Sequence, residues 1–273
     1  MITVNNIEVD TKSTFPDGTL LMKYQYNEKI CHPHINVEWK YENDGELFAL
    51  ICLTKQLPRA KEKHLIMKYL PHARQDRVKK PEDVFTLKYF AEIINSLHFS
   101  TVWVRDAHSN VSLALINNVC DMGAEPYIRQ AIKLSGADAV FYPDEGAMKR
   151  YSDRSELPYA FGMKKRDWQT GKILGLEIIN PENIVGKDVL IVDDICSRGG
   201  TFYHSAKALK AAGAKSVSLY VTHLEETVTL GEMAASDDLV DHIYTTESIF
   251  PAKLCESKHG YDPYWAKWIT IMK

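Results

Sequence analysis

Apolar residues recur along this chain in short blocks separated by polar runs rich in acids and glycine. The clearest block is Val189-Leu190-Ile191-Val192, followed directly by Asp193 and Asp194. So short and wholly apolar a run predicts a buried strand. Similar blocks predict strands over 47–52, 65–67, 101–104, 137–141 and 216–221. Tyr159 to Met163 and Ile173 to Ile179 read as paired strands flanking a polar excursion. Phe85, Tyr89, Ile93 and Leu97 stand at helical spacing and predict a helix over 85–97 with that stripe in the core. Further helices are predicted over 127–134 and 202–212, the latter closed by Gly213 as a left-handed cap. Phe15-Pro16-Asp17-Gly18 and Glu42-Asn43-Asp44-Gly45 are turn signals. The tail carries Ile243, Ile249-Phe250, Trp265 and Trp268.

Strands alternating with helices imply an α/β fold with mostly parallel sheets. The spacing accommodates two such sheets, with a boundary between Gly123 and Pro126, giving domains 1–123 and 124–273. Four polar clusters, 72–77, 106–110, 144–146 and 193–201, each follow a predicted strand. Ligands of open α/β sheets bind at the carboxyl ends of strands.

Composition narrows the function classes. A net charge of −3 gives no electrostatic case for nucleic acid as the main partner. No apolar run reaches the length of a membrane span, and the start lacks signal-peptide features. The five cysteines, Cys31, Cys52, Cys120, Cys196 and Cys255, form no CxxC pair. Such a set points to a reducing cytoplasm and away from a zinc or disulfide framework.

The chemistry concentrates around Asp193-Asp194 and the Ser197-Arg198-Gly199-Gly200-Thr201 loop. Glycines let backbone approach a phosphate, and a following helix offers its N–H groups. Carboxylates do not bind phosphate. They suit ribose hydroxyls or Mg²⁺. Both parts together suit a phosphorylated ribose.

This stretch resembles the phosphoribosyl-pyrophosphate loop of the type I phosphoribosyltransferase fold. Ala73-Arg74-Gln75-Asp76-Arg77, Asp106-Ala107-His108, Pro143-Asp144-Glu145-Gly146 and the Asp193–Thr201 loop also come in the order of ribose-phosphate pyrophosphokinases. Phe15-Pro16-Asp17-Gly18 is similar to that family's early segment. The resemblance, over roughly Phe15 to His223, implies two tandem phosphoribosyltransferase-like domains. It implies transfer of the β,γ-diphosphate of ATP to the C1 hydroxyl of ribose 5-phosphate, with Mg²⁺ as cofactor.

Residue by residue, the resemblance implies ATP contacts from Arg74, Gln75, Asp76 and His108, and an adenine contact from Asp17 of a neighbouring subunit, hence a homo-oligomer. His108 and Asp144 match positions associated with Mg²⁺ and the ATP phosphates. Asp193 and Asp194 match the ribose-hydroxyl acids, and Ser197, Arg198, Gly199, Gly200 and Thr201 the 5-phosphate cradle. Lys164, Lys165 and Arg166 fall in the mobile catalytic loop. The nucleophile is the sugar hydroxyl, so the cysteines have no catalytic part, and Cys196 is expected as a small filler.

Three departures stand out. Ser197-Arg198 replaces the family's Asp-Thr or Ser-Thr, Thr19 replaces a Glu, and the segment after His108 is compressed. A larger acceptor such as ADP-ribose, as in the phage ADP-ribose pyrophosphokinases of NAD salvage, is one alternative. A phosphoribosyltransferase consuming the activated sugar is another.

Overall fold

The computed structural model describes residues 1–25, 34–58, 61–166, 173–233, 239–255 and 267–273. It divides into two compact units, Met1–Gly123 and Ala124–Lys273.

The first unit contains β1 (Ile2–Val4), β2 (Ile7–Val9), β3 (His34–Trp39), α1 (Gly45–Gln56), β4 (Glu62–Met67), α2 (Thr86–Ser96), β5 (Thr101–Val104), α3 (Asn110–Leu115) and β6 (Val119–Asp121). Its sheet has the order β2-β1-β3-β4-β5-β6. Strands β3 to β6 run parallel, and β1 is antiparallel to both its neighbours. Predicted strands 65–67 and 101–104 are present, whereas 47–52 lies inside α1. The run Leu47–Leu53 is apolar enough for either state, but α1 buries Glu46, Ala49, Leu50, Leu53 and Thr54, an i, i+3, i+4 pattern. Buried Glu46 accepts hydrogen bonds from Trp39 Nε1 and Glu42 N, both at 2.9 Å, which fixes the first turn.

Helix α2 also corrects an expectation. Its buried face is Leu87, Phe90, Ala91 and Ile94, while Tyr89 is exposed. Residues spaced strictly by four drift about 40° per step around a helix of 3.6 residues per turn, so of the predicted stripe Leu97 is in the core and Phe85 packs against it, but Tyr89 faces out. The i, i+3, i+4, i+7 set stays on one face.

The second unit contains α4 (Glu125–Ser135), β7 (Ala139–Tyr142), α5 (Glu145–Tyr151), β8 (Tyr159–Arg166), β9 (Ile173–Ile179), β10 (Asp188–Cys196), α6 (Gly200–Ala211), β11 (Ser216–Leu224), β12 (His242–Thr246) and β13 (Ile269–Met272). Its sheet order is β13-β12-β11-β10-β7-β8-β9. Among the described residues, only β8 and β9 pair antiparallel. Both faces of the sheet are covered. Val189, Ile191 and Leu219 pack with Phe202, Ala206 and Leu209 of α6. Leu190, Val192 and Tyr220 pack with Ile128 and Ala131 of α4 and Tyr151 of α5. Gly213 has φ +94°, the left-handed conformation expected after α6.

Trp265, Cys31 and the excursion over 167–172 lie outside the described residues. Lys164, Lys165 and Arg166 are placed as β8 backbone opposite β9, with a register shift between Lys165 and Arg166. Their side chains also lie outside the description. Among the described residues, no helix is long and apolar enough to cross a membrane.

Candidate active site

In the second unit the site grows out of unequal strand lengths. Strand β10 pairs with β7 only through Ile191↔Phe141, but with β11 as far as Cys196↔Leu224. Past Tyr142 the chain turns away, so the distal part of β10 has lost its neighbour on that side. Asp193 and Asp194 sit on this overhang. Both lie within β10, towards its carboxyl end as the sequence suggested, with Asp193 paired to Val221 of β11. A sheet position holds a carboxylate more firmly than a loop does, because its backbone is bonded into the sheet.

The turn leaving β7 begins with Asp144, whose side chain accepts from Ala147 N at 3.0 Å and so caps α5. This turn lies against β8 at Gly162, where an added Cβ would be 2.6 Å from Pro143 O. Any side chain there would lift the Asp144 turn off the strand. From the far end of α5, Arg150 reaches Asp194, with Nη1 3.1 Å from Oδ2. Asp194 is buried, and its backbone N–H donates to Asp193 Oδ1 at 2.9 Å. Burial, reinforced by the charges of Asp194 and Asp144, pushes the Asp193 carboxyl well above the usual carboxylate range.

The Ser197–Thr201 segment joins β10 to α6. Gly200 and Thr201 form the first turn of α6, so their N–H groups are available to an anion. Ser197 Oγ donates to Glu225 Oε2 at 2.7 Å and lies 3.2 Å from Thr227 Oγ1. Glu225 N donates to Cys196 O at 2.8 Å. Arg198 is exposed, and its carbonyl passes so close to Gly231 that an added Cβ would sit 1.8 Å away. The loop is thus clamped along residues 225–231. Cys196 is wholly buried and its thiol is pushed up by burial, as befits a filler.

In the first unit, two of the predicted clusters converge. Asp76 is buried and receives both Nε and Nη2 of Arg77, at 2.6 and 2.8 Å. The Arg77 hydrogen bond, helped by Ser109 and by the charges of Arg77 and His108, holds Asp76 down at about 2. Loop 72–77 and loop 106–109 therefore meet at Asp76. Asp106 stands between strand and loop at φ +46°, a conformation that Asp tolerates better than most residues. Gln75 Oε1 accepts from Thr86 Oγ1 at 2.7 Å, and Arg74 is exposed. Asp17 lies in an exposed turn.

The structure thus gathers Asp76 and His108 in one unit, and Asp144, Asp193, Asp194 and the Ser197–Thr201 loop in the other. Arg150, Glu225, Gly162 and Gly231 were missed from sequence. Arg150 sits in an ordinary charged helix end, and a close backbone approach leaves no mark except the glycine itself.

Comparison with known proteins places this geometry. A model of the phosphoribosyl transferase domain matches residues 149–246, the span that holds Arg150, both acids and the glycine loop. Ribose-phosphate pyrophosphokinase 2 of Archaeoglobus fulgidus is 31% identical over 214 residues, 77% of this chain and 73% of that protein. This chain belongs to the ribose-phosphate pyrophosphokinase family. The Saccharolobus solfataricus ribose-phosphate pyrophosphokinase is 28% identical over 232 residues, 82% of this chain and 79% of that one. The phosphoribosylpyrophosphate synthetase of Mycobacterium smegmatis shares the fold, with a TM-score of 0.72 at 18% identity, covering 95% of this chain and 84% of that one.

Among ribose-phosphate pyrophosphokinase features, the Thr19 departure has a local explanation. Thr19 N and Oγ1 both donate to Asp17 Oδ1, at 3.0 and 2.7 Å, so the residue after Asp-Gly ties back the side chain it follows. The Thr19 hydroxyl, with the Thr19 N–H, lowers the Asp17 carboxyl below its usual range. Nothing in the fold requires Arg at 198.

Proposed function

We propose that this protein transfers the β,γ-diphosphate of ATP to the C1 hydroxyl of ribose 5-phosphate, giving phosphoribosyl pyrophosphate and AMP. The observation that carries this reading is the overhang of β10. It brings Asp193 and Asp194 together with Asp144 and the N-terminus of α6, so that sugar-hydroxyl acceptors and a phosphate site share one strand–loop–helix unit. Family membership supports it.

In this proposal the first unit contributes the ATP side through Arg74, Gln75, Asp76 and His108, with Asp17 reaching adenine from another copy in a homo-oligomer. The second unit contributes the sugar phosphate side. Asp193 and Asp194 accept from ribose hydroxyls, Arg150 fixes Asp194, and the N–H groups of the Ser197–Thr201 loop hold the 5-phosphate. Lys164, Lys165 and Arg166 meet the charge that develops on the transferred diphosphate.

The acids fit a divalent cation. Asp144, Asp193 and Asp194 lie near one another with Arg150 paired to Asp194, and burial together with the neighbouring acids raises the Asp193 carboxyl. Asp144 and His108 are the residues proposed to hold Mg²⁺, which when bound would neutralise phosphate charge. A hard cation of that kind favours oxygen donors such as Asp144.

A second reading keeps the reaction and enlarges the acceptor to ADP-ribose. Its support is Arg198, an exposed cation on the cradle loop where the family commonly has Thr. Incubation with ATP, Mg²⁺ and either ribose 5-phosphate or ADP-ribose tests both. AMP is the expected nucleotide product, resolved by chromatography. ADP as the sole product would exclude diphosphoryl transfer.

A further inference from the structure

We infer that the first unit carries a transition-metal site, distinct from the acids above, formed by His34, Glu62 and His64 at the opposite end of its sheet. His34 and Glu62 are the first residues of β3 and β4 and are register partners in that parallel pair. His64 follows Glu62 by two, so all three side chains rise from the same face. The loops bearing Asp76 and His108 leave the carboxyl ends of β4 and β5, at the other edge.

One donor atom from each residue lies within 4.8 Å of the other two. His34 Nδ1 is already 2.9 Å from a Glu62 carboxylate oxygen. The rings of His34 and His64 meet edge to face at 5.2 Å between centroids. The Nδ1 atom of His64 is buried and has no hydrogen-bond partner among the described residues. Leaving a buried nitrogen unsatisfied is unfavourable, and metal ligation would satisfy it.

Two imidazoles and a carboxylate select a borderline cation such as Zn²⁺ or Co²⁺ over Mg²⁺ or Ca²⁺. Tetrahedral bonds of about 2.0–2.1 Å need donors about 3.4 Å apart. His34 and Glu62 are half-exposed or more, so small rotations can close the set. Three protein ligands leave the fourth position to water. A bound ion would staple β3 to β4.

The test titrates the full-length, metal-free protein with Zn²⁺ by calorimetry, in millimolar Mg²⁺, and with Co²⁺ by visible absorption. One ion per chain is expected, with the intense Co²⁺ bands of four-coordination. His34→Ala and His64→Ala should each weaken binding at least tenfold, while His204→Ala, an exposed histidine on α6, changes nothing. AMP formation should continue in both variants. His34 is exposed, so its variant stays informative even if His64→Ala fails to fold. Absence of saturable binding, or equal affinity in the wild type and His34→Ala, overturns the proposal.

Discussion

Arg150 and Asp194 are joined across 3.1 Å, tying the last turn of α5 to the strand that carries both candidate ribose acids. The Asp194 side chain is 7% exposed and that of Arg150 28%. Removing the guanidinium would strand a nearly buried charge. Breaking a fully buried pair costs roughly 3–5 kcal/mol, and the part-exposed arginine places Arg150→Ala below that range. Urea unfolding should report a lower midpoint with an unchanged slope. An unchanged midpoint would mean that the pair contributes nothing.

Asp193→Asn should do the reverse. The folded carboxyl titrates well above its ordinary value. A group raised on folding stabilises below its unfolded pKa, about 3.9, and that contribution is lost as pH rises through the folded value. At neutral pH the wild type therefore bears the strain and the amide does not. In metal-free buffer at pH 7 the variant should melt higher, by about 2–4 °C for each kcal/mol relieved. The gain should vanish below about pH 4. Use of the sugar phosphate should fall while ATP still binds. A lower melting point at pH 7 would count against an Asp193 carboxyl raised by burial and its neighbouring acids.

Asp76 has the opposite sign. Its carboxyl is held down at about 2 by Arg77. A depressed acid stabilises above its unfolded pKa and loses that contribution as pH falls through the folded value. Asp76→Asn should thus be less stable by about 1–2 kcal/mol at pH 5–7, discounted because Arg77 is largely exposed. The gap between variant and wild type should close between about pH 4 and pH 2. Parallel stability curves over that range would refute the assignment.

Gly231→Ala tests the clamp on the cradle loop. Its methyl would collide with Arg198 O, a backbone atom that yields only if the loop shifts. Affinity for the sugar phosphate should fall at least tenfold with ATP affinity kept, as measured by calorimetry. Equal weakening of both ligands would point to global damage instead.

Arg198→Thr separates the two acceptors. A charged hydrogen bond is worth roughly 1.5–3 kcal/mol, or about ten- to a hundredfold in affinity. If Arg198 serves a second phosphate, kcat/KM for ADP-ribose drops by that factor and ribose 5-phosphate is nearly untouched. A parallel drop for both acceptors leaves Arg198 as a simple phosphate clamp.

Much of the second unit was legible because its central strands β7 and β10 are apolar runs followed closely by acids. Val189–Val192 reads directly as a strand, and Gly213 as its helix cap. The first unit was harder. Leu47–Cys52 carries as much β-compatible as α-compatible apolar residue, and only the buried Glu46 and the reach to Thr54 decide for α1. The extension of β10 through Cys196 was hidden because ladder pairing with β11 overrides the polarity of two adjacent aspartates. Arg150 was invisible because its partner lies 44 residues away in sequence.

Among the described residues, neither sheet borrows a strand from the other half of the sequence. During synthesis the first sheet can therefore close once β6 has cleared the ribosome, before any strand of the second has emerged. The second cannot be completed until β13 emerges, because β12 waits for that neighbour. The half that holds the sugar-phosphate loop is thus the later to mature. A nascent chain would present the loops of Asp76 and His108 while it still lacks Asp193 and Asp194. Pulse-labelled, stalled chains should then be protease-resistant through β6 and still cleavable beyond it.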